Sequence, residues 1–338
     1  MRLAGVGKSC LFAGRCAGIR PRRRLRWVLH FTATVPLNSM SSRRAFLRQC
    51  GLALAAAPAL SSLPPWLSSA DGFTSLRGGI GTFTQRGGTI GWLATDDGIA
   101  VVDTQSPQSA PDCWNGLRER SDSPLAMVIN THHHGDHVGG NGVFARHTDR
   151  LVAHANVPEL MRAGAEDGAA DEKTYPTETF QDTWSEPLGD ETITLRYRGP
   201  AHTGGDAIVV FENANIVHVG DLVFNRAYPF IDVGGGADSQ GWIDSLETIH
   251  GALDDDTIVI HGHGNPDFGV TGGREDLLVM RDFLSALNEY VTQQRQAGAS
   301  LDEMKQTKVL DGFEAFNFDW ALSLADCIEA VYREQTAG

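Results

Sequence analysis

The chain has 338 residues, 41% of them hydrophobic and seven of them Trp, enough for a substantial core in one large α/β domain or two small ones. Its formal charge of −14 is uneven: eleven of the 28 Lys and Arg fall in residues 1–70, which hold no acid, so residues 71–338 set seventeen bases against 42 acids, a net −25. So acidic a body excludes nucleic acid and anionic membranes as expected partners, because both need positive surface to displace counterions.

Residues 1–39 read as a basic leader or an over-extended start ahead of Met40. Ser42-Arg43-Arg44-Ala45-Phe46-Leu47, the Ala/Leu-rich stretch 51–60, then Pro64-Pro65 and Ser68-Ser69-Ala70 follow in order. Residues 40–70 thus resemble a bacterial twin-arginine export signal. The apolar part is too short for a membrane helix, which takes about 20 residues. The resemblance implies passage of a folded protein through the twin-arginine export machinery, a mature start near Asp71 and a periplasmic product. Of five cysteines only Cys113 and Cys327 lie beyond this segment. Two so far apart make no disulfide framework, and they are expected to be buried thiols.

The body opens as a hairpin, Thr89 to Thr95 and Ile99 to Thr104 around Asp96-Asp97-Gly98, two β-branched or apolar runs with a turn between them. A helix is expected over Ala110–Arg120, and a short apolar strand, Leu125 to Asn130, runs into the sequence THHHGDHVGG at 131–140. Next come a strand at Leu151–Ala155, a helix at Val157–Ala163 and a polar insertion at 164–180. Strands follow around Thr192–Arg198, Ala207–Glu212 and Asn215–Val219. A helix at Gln240–Leu253 carries Trp242, Ile243, Leu246 and Ile249 at three- and four-residue steps. A strand at Thr257–His261 and helices at Gly273–Gln296 and Asp319–Glu334 close the chain. With no internal repeat, one mixed α/β domain over 71–338 is the economical reading.

Four histidines and an aspartate within 132–137 are the chemical signal. In an extended segment alternate side chains share a direction, so His132 and His134 can face one point while His133 and Gly135 face away. Where the chain turns into its next element, Asp136 and His137 can project past that pair. Zinc takes about four ligands, so two ions need further donors. Three stand at the ends of expected strands: His202 in AHTGGD, Asp221 in VGDLVF and His263 in HGHGNP.

H-x-H-x-D-H, a distant His-Thr-x-Gly-Asp, Gly-Asp and Gly-His-Gly in this order resemble the metallo-β-lactamase-fold superfamily of hydrolases, over residues from about 80 to 265. The resemblance implies a four-layer αββα sandwich. It also implies a first zinc on His132, His134 and His202, a second on Asp136, His137 and His263, and Asp221 bridging them; iron or manganese are the other metals to test. A hydroxide between the ions is then the nucleophile, and Asp136 orients it and shuttles its proton.

Other residues have plainer readings. His133 is out of phase with the ligands; His261 competes with His263 but lacks a glycine on both sides; His218 alternates with Ile216 and reads as an interior histidine. Asp103 and Asp206 are expected to buttress ligands or cap turns. Gly135, Gly139 and Gly140 are read as room for tight turns. Trp92, Arg226, Tyr228 and Phe230 are the candidates for substrate contact.

The zinc β-lactamases that use H-x-H-x-D-H commonly carry cysteine or serine where this chain has Asp221, so antibiotic cleavage is not the favoured reading, and the expected reaction is hydrolysis of an acyl bond (ester, thioester, lactone or lactam). The substrate is a small molecule. Two rivals remain: a mononuclear iron sulfur dioxygenase on the same fold, and a periplasmic metal-binding protein without turnover.

Overall fold

In a computed structural model of the chain, residues 72–164 and 174–337 are described. The expected leader, the twin-arginine-type segment and the start near Asp71 lie outside them, as does most of the expected insertion.

The first sheet runs in chain order: β1 (Phe73–Ser75), β2 (Ile80–Phe83), β3 (Ile90–Ala94), β4 (Ile99–Val102), β5 (Leu125–Asn130), β6 (Leu151–His154) and β7 (Glu178–Phe180). Its pairing is antiparallel as far as β4 and parallel from β4 to β7. Crossovers carry α1 (Ala110–Arg120), α2 (Gly135–Val138), α3 (Asn141–Phe144) and α4 (Val157–Ala163). In the second sheet are β8 (Thr183–Leu188), β9 (Glu191–Tyr197), β10 (Ala207–Phe211), β11 (Ile216–His218), β13 (Ile258–Ile260) and β15 (Thr271–Gly272), in the order β15-β13-β11-β10-β9-β8. β12 (Phe224–Asn225) and β14 (His263–Gly264) form a separate parallel pair. The remaining helices are α5 (Ser239–Ala252), α6 (Glu275–Gln296), α7 (Leu301–Met304) and α8 (Leu324–Glu334).

Period-two alternation explains the layering. On β4, Ala100 and Val102 face the second sheet, meeting Leu195, Val209 and Ile260 there. Ile99 and Val101 point the other way, to Cys113 and Leu117 of α1. Beyond the second sheet, Trp242 and Leu246 of α5, Phe283 and Leu287 of α6 and Ile328 of α8 close the outer layer. The architecture is therefore the expected four-layer αββα sandwich. Cys113 and Cys327 are buried, free thiols, and burial pushes both above the usual thiol range. Among the described residues no helix is long and apolar enough to cross a membrane.

Boundaries differ where end chemistry outweighs periodicity. The last helix begins at Leu324 rather than Asp319, because the Asp326 carboxylate accepts from the Ser323 amide (2.8 Å) and hydroxyl (2.6 Å) and so sets the first turn there. Trp320 is thereby left in an irregular segment. The end of the expected polar insertion, Glu178–Phe180, is the edge strand β7.

Candidate metal centre

The donor loop is pinned at both ends. Asn130, closing β5, exchanges amide hydrogen bonds with Asn141 of α3 (3.0 and 2.9 Å). Thr131 donates its amide and hydroxyl to Asp103 (2.8 and 2.7 Å). His134 is extended, φ −66° and ψ 146°, and α2 begins at the next residue. The chain therefore presents His132 and His134 with strand spacing, then Asp136 and His137 in a helical turn. His202 arrives from the β9–β10 loop, Asp221 from the turn after β11, and His263 from β14.

These seven side chains meet in two halves that share Asp221. In the first, His134 Nδ1 lies 3.0 Å from His132 Nε2 and 3.1 Å from His202 Nε2, while Asp221 Oδ2 is 3.7 Å from His132 Nε2 and 3.5 Å from His202 Nε2. In the second, His137 Nε2 is 3.4 Å from His263 Nε2 and 3.0 Å from Asp221 Oδ1, and Asp136 Oδ2 is 3.1 Å from His263 Nε2.

The opposite nitrogens are mostly committed. His132 Nδ1 meets the Thr131 hydroxyl (3.0 Å), His134 Nε2 the Asp232 carboxylate (3.0 Å), His202 Nδ1 the Phe230 carbonyl (2.7 Å) and His137 Nδ1 the Asp103 carboxylate (2.7 Å). The imidazoles so held direct a lone pair inward. Asp103 does this from φ 64°, a left-handed conformation that aspartate tolerates better than most residues.

Burial, then the charge of His137, holds His132 well below the usual imidazole range, and burial takes His202 down to about 3. In the second half burial also pulls downward, but Asp221 and neighbouring carboxylates outweigh it, raising His137 well above its ordinary value and His263 to about 9. Burial alone would raise Asp221, yet His137, His263 and His132 keep it well below the usual carboxylate range.

The residues fit divalent cations. Ligand bonds of about 2.0–2.1 Å in a tetrahedron put neighbouring donors about 3.3 Å apart, close to the spacings of the first half. Asp221 is buried, and its carboxylate faces the ring nitrogens of His132, His137, His202 and His263 at 3.0–3.7 Å, so one carboxylate is aimed into both halves. Nitrogen and carboxylate donors of this kind suit zinc and its neighbours in the first transition row.

Asp232 escaped the sequence reading. Its Oδ2 accepts from His134 and lies 3.3 Å from His133 Nε2, and its Oδ1 accepts from the Gly235 amide (2.9 Å). Burial would raise this carboxylate, but hydrogen bonds from His133 and His134 hold it far below its ordinary value. Because Asp232 fixes the orientation of His134, Asp232→Ala is expected to weaken divalent-cation binding about 10–100-fold. Isothermal titration checks this, and an unchanged Kd contradicts it.

Of the expected substrate contacts only Phe230 stands at the mouth, its ring 5.3 Å from that of His134. Trp92 is buried on the helix side of the first sheet. Tyr228 is buried near Phe283 and Phe316. Arg226 has no free guanidinium for a substrate carboxylate: it pairs with Asp276 at 2.6 Å, bonds Asn225 and lies over Phe268. His218 is satisfied, donating to the Thr89 carbonyl (3.0 Å) and accepting from the Gly220 amide (3.1 Å). His261 is buried beside Asp276, outside the cluster. Asp206 accepts from the Thr203 amide and hydroxyl and so holds the turn after His202. Gly139 and Gly140 keep right-handed backbone; a Cβ on either would strike a carbonyl oxygen, so they serve close packing rather than tight turns.

The family model described as the metallo-beta-lactamase superfamily matches residues 83–263, a stretch that holds all seven side chains. The alpha subunit of 2,4-dinitroanisole O-demethylase from Nocardioides sp. (strain JS1661) is 30% identical over 154 residues, 44% of this chain and 45% of its own. The metallo-beta-lactamase IND-1 of Chryseobacterium indologenes is 23% identical over 173 residues, 51% of this chain and 70% of its own. Among solved structures, the sec-alkylsulfatase Pisa1 from Pseudomonas sp. superposes with a TM-score of 0.63 at 14% identity, covering 78% of this chain and 50% of that one. A metallo-beta-lactamase from Pontibacter korlensis gives 0.54 at 18% identity, covering 63% and 98%. The matched region thus spans about half the length of the demethylase subunit and of the sulfatase.

Proposed function

This chain belongs to the metallo-beta-lactamase superfamily, and from that premise we propose that it is an exported dinuclear zinc hydrolase that cleaves an acyl bond (ester, thioester, lactone or lactam) in a small molecule. The observation that carries the proposal is the inward convergence of ring nitrogens in two halves around one buried carboxylate, Asp221. The relatives are named for different reactions, an O-demethylase, a beta-lactamase and a sec-alkylsulfatase, so family membership supports metal chemistry more narrowly than it supports any one bond. The twin-arginine-type segment supports a periplasmic site of action.

Zinc held here would supply Lewis acidity toward a carbonyl oxygen and would lower the pKa of water from 15.7 to about 7. The chain's residues do the rest. His132, His134 and His202 would hold one ion and His137, His263 and Asp136 the other, and the Asp221 carboxylate, facing both halves, would offset the repulsion of like charges. The Asp136 side chain is 42% exposed where Asp221 is 3%, so Asp136 is the carboxylate that meets the substrate's side of the centre. It takes the proton from the attacking water and passes it to the leaving group.

The test is a panel of chromogenic esters, thioesters, lactones and cephalosporins, run beside metal analysis of the purified protein. Asp136→Ala is expected to lower turnover about 10²–10⁴-fold while the first half stays loaded. Wild-type rates in that variant would contradict the role. A single bound iron with oxygen uptake would favour the dioxygenase instead, and metal uptake without any turnover a binding protein.

A further inference from the structure

Of the aromatic rings against the ligand imidazoles, Phe224 and Trp242 are buried, and two more accessible ones, Phe230 and Trp320, flank the metal centre without a part in holding it. Among the described residues Phe230 and Phe268 are the large apolar side chains left exposed, at 45% and 46%. Phe268 has a cover, the Arg226 guanidinium 4.8 Å over its ring. Phe230 lies instead against His134, and its carbonyl fixes His202, so the ring stands beside the first half. Beside the second half stands Trp320, 5.5 Å from the His263 ring. Phe318 stacks on Trp320 at 5.9 Å, and the indole N–H donates to the Tyr228 carbonyl at 3.2 Å. Tyr228 is two residues before Phe230. One short segment therefore anchors a ring on each side of the mouth.

The charge around these rings points to the kind of group they meet. Two divalent cations would be offset by Asp103, Asp136, Asp221 and Asp232, leaving the mouth without net attraction for an anion. A cleft of about 280 Å³ opens at Phe230, walled by Ile231, Val233 and Ala330 together with Asp232, Asp326, Glu329 and Arg333; Arg333 pairs with Glu329, so acid is in excess there and an anion gains no partner. Apolar contact is the recognition that remains.

We propose that Phe230 and Trp320 form an aromatic rim that selects substrates carrying an apolar group, aryl above alkyl, on the carbonyl that is attacked. The rim rests on the acyl-hydrolase reading and gives it a substrate class. Covering the exposed phenyl ring removes apolar area from water, and an aryl group adds ring-to-ring contact that an alkyl group lacks.

Benzohydroxamate and acetohydroxamate present the same metal-binding group with and without a ring. Titrated into zinc-loaded protein, benzohydroxamate is expected to bind about tenfold tighter or more. Phe230→Ala and Trp320→Leu each reduce that ratio severalfold without loss of bound zinc, and Phe268→Ala, away from the mouth, leaves it intact. A wild-type ratio near unity, or a ratio that survives both rim variants, overturns the rim. If esters are hydrolysed and the ratio is flat, the rim fails while the hydrolase reading stands. If the ratio falls in the variants but nothing in the panel is hydrolysed, the hydrolase reading fails and takes the substrate class with it, while the aryl contact of the two rings stands. A protein that takes up no zinc overturns both.

Discussion

Asp221→Ala is expected to strip metal from both halves of the centre and to lower turnover by about 10³-fold or more. Asp221 is the donor that touches both halves: Oδ1 is 3.0 Å from His137, and Oδ2 lies 3.5 Å from His202, 3.7 Å from His132 and 3.5 Å from His263. Two divalent cations about 3.5–4 Å apart repel strongly unless negative charge lies between them. Alanine removes that charge and leaves each half with histidines alone or with one exposed carboxylate. Elemental analysis together with steady-state rates checks the prediction. Full occupancy in the variant would mean that Asp221 does not bridge.

Gly262→Ala is expected to act on the same carboxylate from behind. A Cβ on Gly262 would overlap Asp221 Oδ1 and sit 2.7–2.8 Å from the Gly220 backbone. The surrounding main chain has little freedom to yield. The Gly262 amide donates to the Gly220 carbonyl at 2.7 Å, and its own carbonyl accepts from the Thr89 amide (2.8 Å) and hydroxyl (3.0 Å). Any shift would pass to Gly88, which is packed against the His137 ring. Overpacking at such a crossing costs about 1–3 kcal/mol of stability. Denaturant unfolding of the variant should show that loss along with weakened metal binding. Wild-type stability and affinity would contradict the packing read here.

β5 and α1 were legible to the residue, because Leu125–Asn130 is a continuous apolar run and Ala110–Arg120 has Pro111 in its first turn and basic residues in its last. β8 left no such trace: it is an edge strand, pairing with β9 alone, and its alternating exposed positions and Pro187 read as loop. β1 and β2 are only three and four residues long, too short for a pattern.

In the centre, local residue types brought forward the cluster His132, His134, Asp136 and His137 and the distant His202, Asp221 and His263, the resemblance assigned them as one ligand set, and the fold brings them together. Asp232 lies 98 residues from His134 and carries no motif of its own. A lone acid between Ile231 and Val233, followed by Gly234-Gly235-Gly236, was the signal available, since an acid in an apolar turn needs a partner. Trp320 was hidden for another reason: extending the last helix to Asp319 put its ring on a helix face, whereas the cap at Ser323 leaves it beside His263. Trp92 and Tyr228 failed as substrate contacts because nearness in sequence says nothing about which side of a sheet or turn a ring takes.

Whether seven donors hold paired cations is read from an anomalous difference map at the zinc edge on crystals of the loaded protein. Two peaks about 3.5–4 Å apart are expected, one bounded by His132 Nε2, His134 Nδ1 and His202 Nε2, the other by Asp136, His137 and His263, with the Asp221 carboxylate between them. A lone peak held instead by His133, His134 Nε2 and Asp232, the other donor group at the mouth, would contradict that pairing.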